Sequence, residues 1–380
     1  MLNRARFSKK IFSWNTSMPH NSSASRRVEK RELKFFQAVN EAIDLCMAKD
    51  PAVYVMGLGV PDPKGIFGTT LGLQEKYGPE RVMDMPVSEN GMTGVAIGSA
   101  LAGMRPIMTH QRVDFALLAM EQTANQAANW HYMFGGKISV PLVIRMIIGR
   151  GWGQGPQHSQ SLQAWFAHIP GLKVIMPTTA YDAKGLLISS IEDNNPVIFL
   201  EHRWLHNIID HVPAGCYRVP LGKAQVMRTG HDITLAAISY MTLEALRAAQ
   251  LLAEQGVSAE VIDIRTLKPL DEDLILDSVR KTGNLVVADT GWKTGGFAGE
   301  VVARVAEGAF EKLRNPPARV TLPDCPTPTT RALANHYYPR AIHIAATALK
   351  VLGRSLDNSF YHETLTTPLD VPDKGFTGPF

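Results

Sequence analysis

The chain has 380 residues, enough for two ordinary domains or one large one, and its 45% hydrophobic and 19% charged content excludes disorder as the main state. A net charge of +4, from 39 basic against 35 acidic side chains, is too balanced to point to nucleic acid. No apolar run reaches the roughly 18–20 residues of a membrane helix, and Cys46, Cys216 and Cys325 lie far apart with no CxxC, so neither a zinc cluster nor a disulfide framework is signalled.

Residues 1–29 read as a flexible extension, in which six basic side chains precede the first acid, Glu29, among several Ser and Asn residues. This composition fits a bacterial leader, with translation starting at Met18 as an option, and it also fits an organellar transit peptide. The bacterial cytoplasm is the reading taken, with the mitochondrial matrix or another organelle as the alternative. From residue 36 to 47, Phe36, Val39, Ile43, Cys46 and Met47 recur at helical spacing, and Asp50-Pro51 stops the helix. A buried strand is expected at 53–56, a helix of small residues at 94–102, and strands at 107–110, 142–148 and 173–176. A helix at 183–191 and a strand at 197–200 complete this set. Helices alternating with continuous apolar strands argue a parallel sheet covered on both faces.

Between 204 and 223 His206, His211, Pro213, Gly215 and Pro220 crowd together and mark a break. Beyond it strands at 233–238, 259–264 and 285–288 alternate with helices at 243–254, 272–281 and 299–307. The fold class is therefore α/β with two parallel-sheet domains, residues 30–205 and 222–352, joined by a linker at 206–221. The tail at 353–380 carries Pro368, Pro372, Gly375, Gly378 and Pro379, which exclude a helix, and it is expected to lie over the surface. No GxGxxG follows a strand of the second half, and the chain has no GxxxxGK[ST], so nucleotide phosphate loops are unsupported.

Two clusters carry chemistry. In Pro86-Val87-Ser88-Glu89-Asn90-Gly91-Met92-Thr93-Gly94, Glu89 stands between a strand and a glycine-opened helix, where α/β sheets build sites. The same position suits an acid that merely caps a helix. In Gly155-Pro156-Gln157-His158-Ser159-Gln160, which follows a glycine-rich loop, His158 is either a proton-exchanging residue or an ordinary surface histidine.

The runs MPVSENGMTGVAIGSALAGMRPI, GPQHSQSLQAWFAHIPGLKVIMPTTAYDAKGLL, IEDNNPVIF, VIDIRTLKPLD and WKTGGFAGE together resemble the beta subunit of thiamine-diphosphate-dependent 2-oxo acid dehydrogenases of the pyruvate, branched-chain and acetoin type. The resemblance runs over residues 32–350 in the family's order. It implies a pyrimidine-binding domain followed by a transketolase-type C-terminal domain. It implies that Glu89 hydrogen-bonds the cofactor's aminopyrimidine nitrogen, favouring the imino tautomer that removes the thiazolium proton. It places Phe115 against the pyrimidine and His158 near the reacting intermediate, with Leu58 and His110 also beside the cofactor. Leu142, Ser190, Asp193 and Asn195 fall where similar proteins give mostly backbone oxygens to a structural potassium ion; an ordinary helix-ending turn at Asp193-Asn194-Asn195-Pro196 is compatible with that. The GDG…N segment that holds the diphosphate through Mg²⁺ in such enzymes does not occur here. The resemblance therefore implies an alpha-type partner in an α₂β₂ heterotetramer, with no activity for this chain alone.

Two departures stand out. Gly57-Leu58-Gly59-Val60 replaces the family's GE(E/D)V, and Thr109-His110-Gln111-Arg112 brings in a basic pair. These suggest either an anionic substrate or structural compensation. The reading taken is an oxidoreductase subunit that decarboxylates a 2-oxo acid and passes the acyl group to a lipoyl carrier, with a lipoyl acyltransferase as a further partner. The alternatives are a split transketolase-like or acyloin-forming transferase using a carbonyl acceptor, and a non-catalytic assembly subunit.

Overall fold

Apolar residues at helical spacing build the first helix and fix how it docks. In the computed structural model, which describes residues 31–151, 153–355, 368–372 and 376, β1 (Glu32–Lys34) leads into α1 (Phe35–Lys49). Phe35, Ala38, Val39, Ala42, Ile43, Cys46 and Met47 are all buried, and Asp50 ends the helix in extended conformation before Pro51. The basic stretch at 1–29 and most of the tail lie outside the described residues.

Next come β2 (Val53–Met56), α2 (Leu73–Tyr77), β3 (Val82–Met83), α3 (Glu89–Leu101) and β4 (Arg105–His110). They are followed by α4 (Trp130–Met133), β5 (Val143–Ile148), α5 (Gln163–His168), β6 (Lys173–Ile175), α6 (Ala180–Glu192), β7 (Val197–His202) and β8 (Ile209–His211). The strands β2, β5 and β7 are buried at every residue, as strands covered on both faces must be. The helix α6 starts on the Thr179 side chain, which accepts from Asp182 N, and it packs on α1.

The second half contains β9 (Gln225–Arg228), β10 (Ile233–Ala237), α7 (Tyr240–Glu254), β11 (Ala259–Asp263), β12 (Thr266–Lys268) and α8 (Glu272–Thr282). It ends with β13 (Leu285–Trp292), α9 (Phe297–Ala309), β14 (Ala318–Leu322), α10 (Arg331–Ala334) and α11 (Ala341–Val351). A seven-stranded sheet has the order β12-β6-β7-β5-β4-β2-β3, parallel except for β12, and a five-stranded sheet has the order β14-β13-β10-β11-β9, parallel except for β9.

Three features differ from the sequence expectation. The strand β12 comes from the second half yet pairs with β6, so the first sheet is completed across the break. The expected linker at 206–221 contains a strand and is tied to the first half, because β8 pairs with β1 and Val219 N donates to Gly185 O. The tail does not simply cover the surface: Arg340 donates to the carbonyls of Leu369, Val371 and Pro372, and residues 370–372 are buried.

Candidate functional site

The site forms where the carboxyl ends of β2 and β4 meet the start of α3. Gly57 follows β2 so closely against β4 that a Cβ there would sit 2.3 Å from the Thr109 carbonyl oxygen; only glycine permits that approach. Asp84 then ties the next turn down, its Oδ1 accepting from Gly59 N at 2.8 Å and Met85 N at 3.0 Å. Gln111 Nε2 donates to the Leu58 carbonyl at 3.1 Å. These bonds hold Leu58 facing a pocket that it shares with Glu89, His110 and Phe115. Met85, Thr109 and Gln111 complete the lining.

Glu89 is the first residue of α3 and only 4% exposed. An acid is favoured there by the helix dipole, and the same position puts Glu89 on the pocket lining. Its carboxylate makes no hydrogen bond among the described residues. His110 is likewise buried, with Nε2 unpartnered, and burial pushes its imidazole down to about 4. It is therefore neutral at physiological pH, which corrects the expectation of a basic pair at His110 and Arg112. Arg112 is not in the pocket lining; its guanidinium lies over the Phe67 ring.

His158 lies in a short turn, Gln157–Ser159, with its side chain 43% exposed. Its ring centre is 5.4 Å from that of Phe115, and its Nδ1 is 2.8 Å from Asp114 Oδ2. A carboxylate only accepts, so Nδ1 carries the hydrogen and Nε2 is left open. Sequence reasoning missed Asp114 as a partner, although it adjoins Phe115; 44 residues separate it from His158, and no local pattern spans that gap.

The residues expected around potassium lie away from this pocket: Ser190 in the last turn of α6, Asp193 and Asn195 in the turn after it, and Leu142 just before β5. Val197 N donates to Leu142 O, Asp193 N to Ser190 O, and Asn195 N to Asp193 Oδ1. Lys173 pairs with the Asp193 carboxylate, and Arg105 donates to the carbonyls of Ile191 and Asp193. Main-chain carbonyls, each with a second lone pair, and the Asn195 Oδ1 remain as oxygen donors there, which is the chemistry a potassium ion takes. Among the described residues no group of three or more His, Cys, Asp or Glu side chains could hold a metal ion.

Comparison with known proteins identifies the two domains and the family. Residues 31–207 match the transketolase pyrimidine-binding domain and residues 222–344 the transketolase C-terminal domain. The chain is 44% identical over 332 residues to the beta subunit of acetoin:2,6-dichlorophenolindophenol oxidoreductase of Cupriavidus necator, covering 85% of this chain and 98% of that one. It is 40% identical over 330 residues to the mitochondrial pyruvate dehydrogenase E1 component subunit beta-2 of Oryza sativa, covering 86% and 88%. A solved split-gene transketolase, an inactive beta4 tetramer, superposes with a TM-score of 0.69 at 25% identity, covering 85% of this chain and 99% of that one. With both domains matched in order and this identity over most of its length, the chain belongs to the thiamine-diphosphate-dependent family of the E1 beta subunits of pyruvate and acetoin dehydrogenases.

Proposed function

We propose that this chain supplies the pyrimidine half of a thiamine-diphosphate site that an alpha-type subunit completes, and that the assembled α₂β₂ enzyme decarboxylates a 2-oxo acid and passes the acyl group to a lipoyl carrier. The observation that carries the reading is the pocket itself: Glu89 and His110, both buried and with no side-chain hydrogen bond among the described residues, share it with apolar Leu58 and Met85 and with Phe115. A flat, apolar ring with a polar edge suits those walls, as an aminopyrimidine would.

When bound, thiamine diphosphate supplies a nucleophilic carbon and the sink for the electrons of decarboxylation. Glu89 would hold the ring nitrogen of the bound cofactor through a shared proton at its carboxyl oxygen, from a position fixed by the first turn of α3. Phe115 offers its ring as an apolar wall. His158, oriented by Asp114, has Nε2 free to give or take a proton at the reacting atoms. The diphosphate and its Mg²⁺ are assigned to the partner, and a structural potassium ion to the carbonyls of Leu142, Ser190, Asp193 and Asn195. A lipoyl acyltransferase would take the product, and the proposed compartment is a bacterial cytoplasm.

Leu58, apolar where the family carries an acid, favours transfer to a carbonyl acceptor as a second reading. Product analysis with lipoamide against an aldehyde acceptor separates the two. Glu89→Gln and Glu89→Ala, each co-expressed with the alpha-type subunit, are expected to lower activity by roughly 100-fold or more. Unchanged activity would overturn the catalytic reading and leave an assembly subunit.

A further inference from the structure

Arg203 follows β7 and is only 5% exposed, yet its side chain forms no hydrogen bond or ion pair among the described residues. Its Nε is fully buried without a partner. The guanidinium lies 4.8 Å from the ring centre of Phe67 and 5.4 Å from that of Phe376. Arg112, 3% exposed, lies 5.2 Å over the same Phe67 ring; its Nη1 donates to Gly149 O at 2.8 Å, and its Nη2 is buried without a partner. Among the described residues, the carboxylate that acts on Arg112 is Asp114, which His158 already engages, and none acts on Arg203. Burial pushes Arg203 down to about 10; burial first, and Arg203 second, push Arg112 down to about 9.

Two buried guanidiniums on one phenyl ring, with no carboxylate between them among the described residues, are costly unless something else compensates the charge. Rings offset part of this, but they satisfy none of the N–H donors, and unsatisfied buried donors call for an explanation. The surroundings are built rather than incidental. Phe67 is held at φ 50°, ψ 34°, a left-handed conformation rare for a bulky residue, and such strain concentrates at functional sites. Arg112, Gly149 and Arg203 follow β4, β5 and β7, which are adjacent in the sheet, so they share its carboxyl edge with the pocket.

We propose that Arg203 and Arg112 form a binding site for a carboxylate or phosphate group, filled by a second acidic group on the substrate. The first part stands on the residues alone; the second rests on the function proposed above. The substrate class is then a 2-oxo acid with an additional anionic group, and guanidiniums suit its planar or multi-oxygen end.

The test uses the full chain co-purified with its alpha-type subunit, wild type against Arg203→Met. Thermal unfolding is followed with inorganic phosphate and with glutarate, ionic strength being held constant with chloride. Either anion is expected to raise the wild-type Tm by a few degrees and to leave Arg203→Met unmoved. The kcat/KM ratio for 2-oxoglutarate over pyruvate is expected to fall about tenfold or more in the variant. Stabilisation lost with the substrate ratio unchanged would uphold the anion site and overturn its assignment to substrate. Equal Tm responses in both proteins would overturn the site. If no 2-oxo acid is turned over by the wild-type complex, the decarboxylase reading fails while the Tm comparison still decides the site. Arg112→Met and Arg203→Lys carry the same readouts if Arg203→Met does not fold.

Discussion

The Asp114 carboxylate decides which nitrogen of His158 carries hydrogen, and it does so from 2.8 Å on a half-exposed ring. Replacing it with Asn leaves a group that can donate as well as accept, so the ring is no longer held in one tautomer. Asp114→Asn should lower kcat roughly 10- to 100-fold, with the KM for the 2-oxo acid little changed, because the interaction acts through His158 and not on the substrate. Steady-state kinetics of the complex check this; a change confined to KM would place Asp114 in substrate binding instead. At the same scale, His110 shows how position outweighs residue type. Burial leaves it neutral, so its contribution to the pocket is a hydrogen-bonding edge and not a charge.

Between elements, the contact of β13 with α5 joins the two halves close to the site. Gln163, the first residue of α5, donates from Nε2 to Asp289 Oδ1 at 2.7 Å, five residues after His158. Gly291 leaves room for this pair: a Cβ there would lie 2.9 Å from Asp289 Oδ2. Asp289 is fully buried, and burial pushes its carboxyl up to about 6. The folded chain therefore holds this proton more tightly than the unfolded chain, whose aspartates titrate near 3.9. Stability from this group is complete below about pH 4 and is lost as pH rises through about 6. Relative to Asp289→Asn, the wild type should lose on the order of 3 kcal/mol between pH 4 and about pH 7. Urea unfolding of both proteins across that range measures it, and a pH-independent difference would contradict the account.

Across the whole molecule, what was legible in the sequence follows the range of the interactions involved. Helix α1 and strands β2, β5 and β7 were legible because apolar spacing alone sets their burial. Glu89, Phe115, Leu58 and His110 were placed together through a family resemblance, and they do line one pocket. The strand β12 was not legible: three residues carry no period, and its partner β6 lies about ninety positions earlier. Arg203 was passed over because a charged residue beside a turn looks solvated, and only the fold shows it buried without a counter-charge among the described residues. The tail segment escaped for a similar reason, since its proline-rich composition forbids a helix but does not reveal that Arg340 gathers its carbonyls.

The central claim is that one cofactor site is divided between two chains. The most direct measurement is calorimetric titration of thiamine diphosphate with Mg²⁺ into this chain alone, into the alpha-type subunit alone, and into the co-purified complex. The account predicts tight binding by the complex only, weakened by Glu89→Ala. Failure of the complex to bind, or equally tight binding by this chain alone, would contradict it.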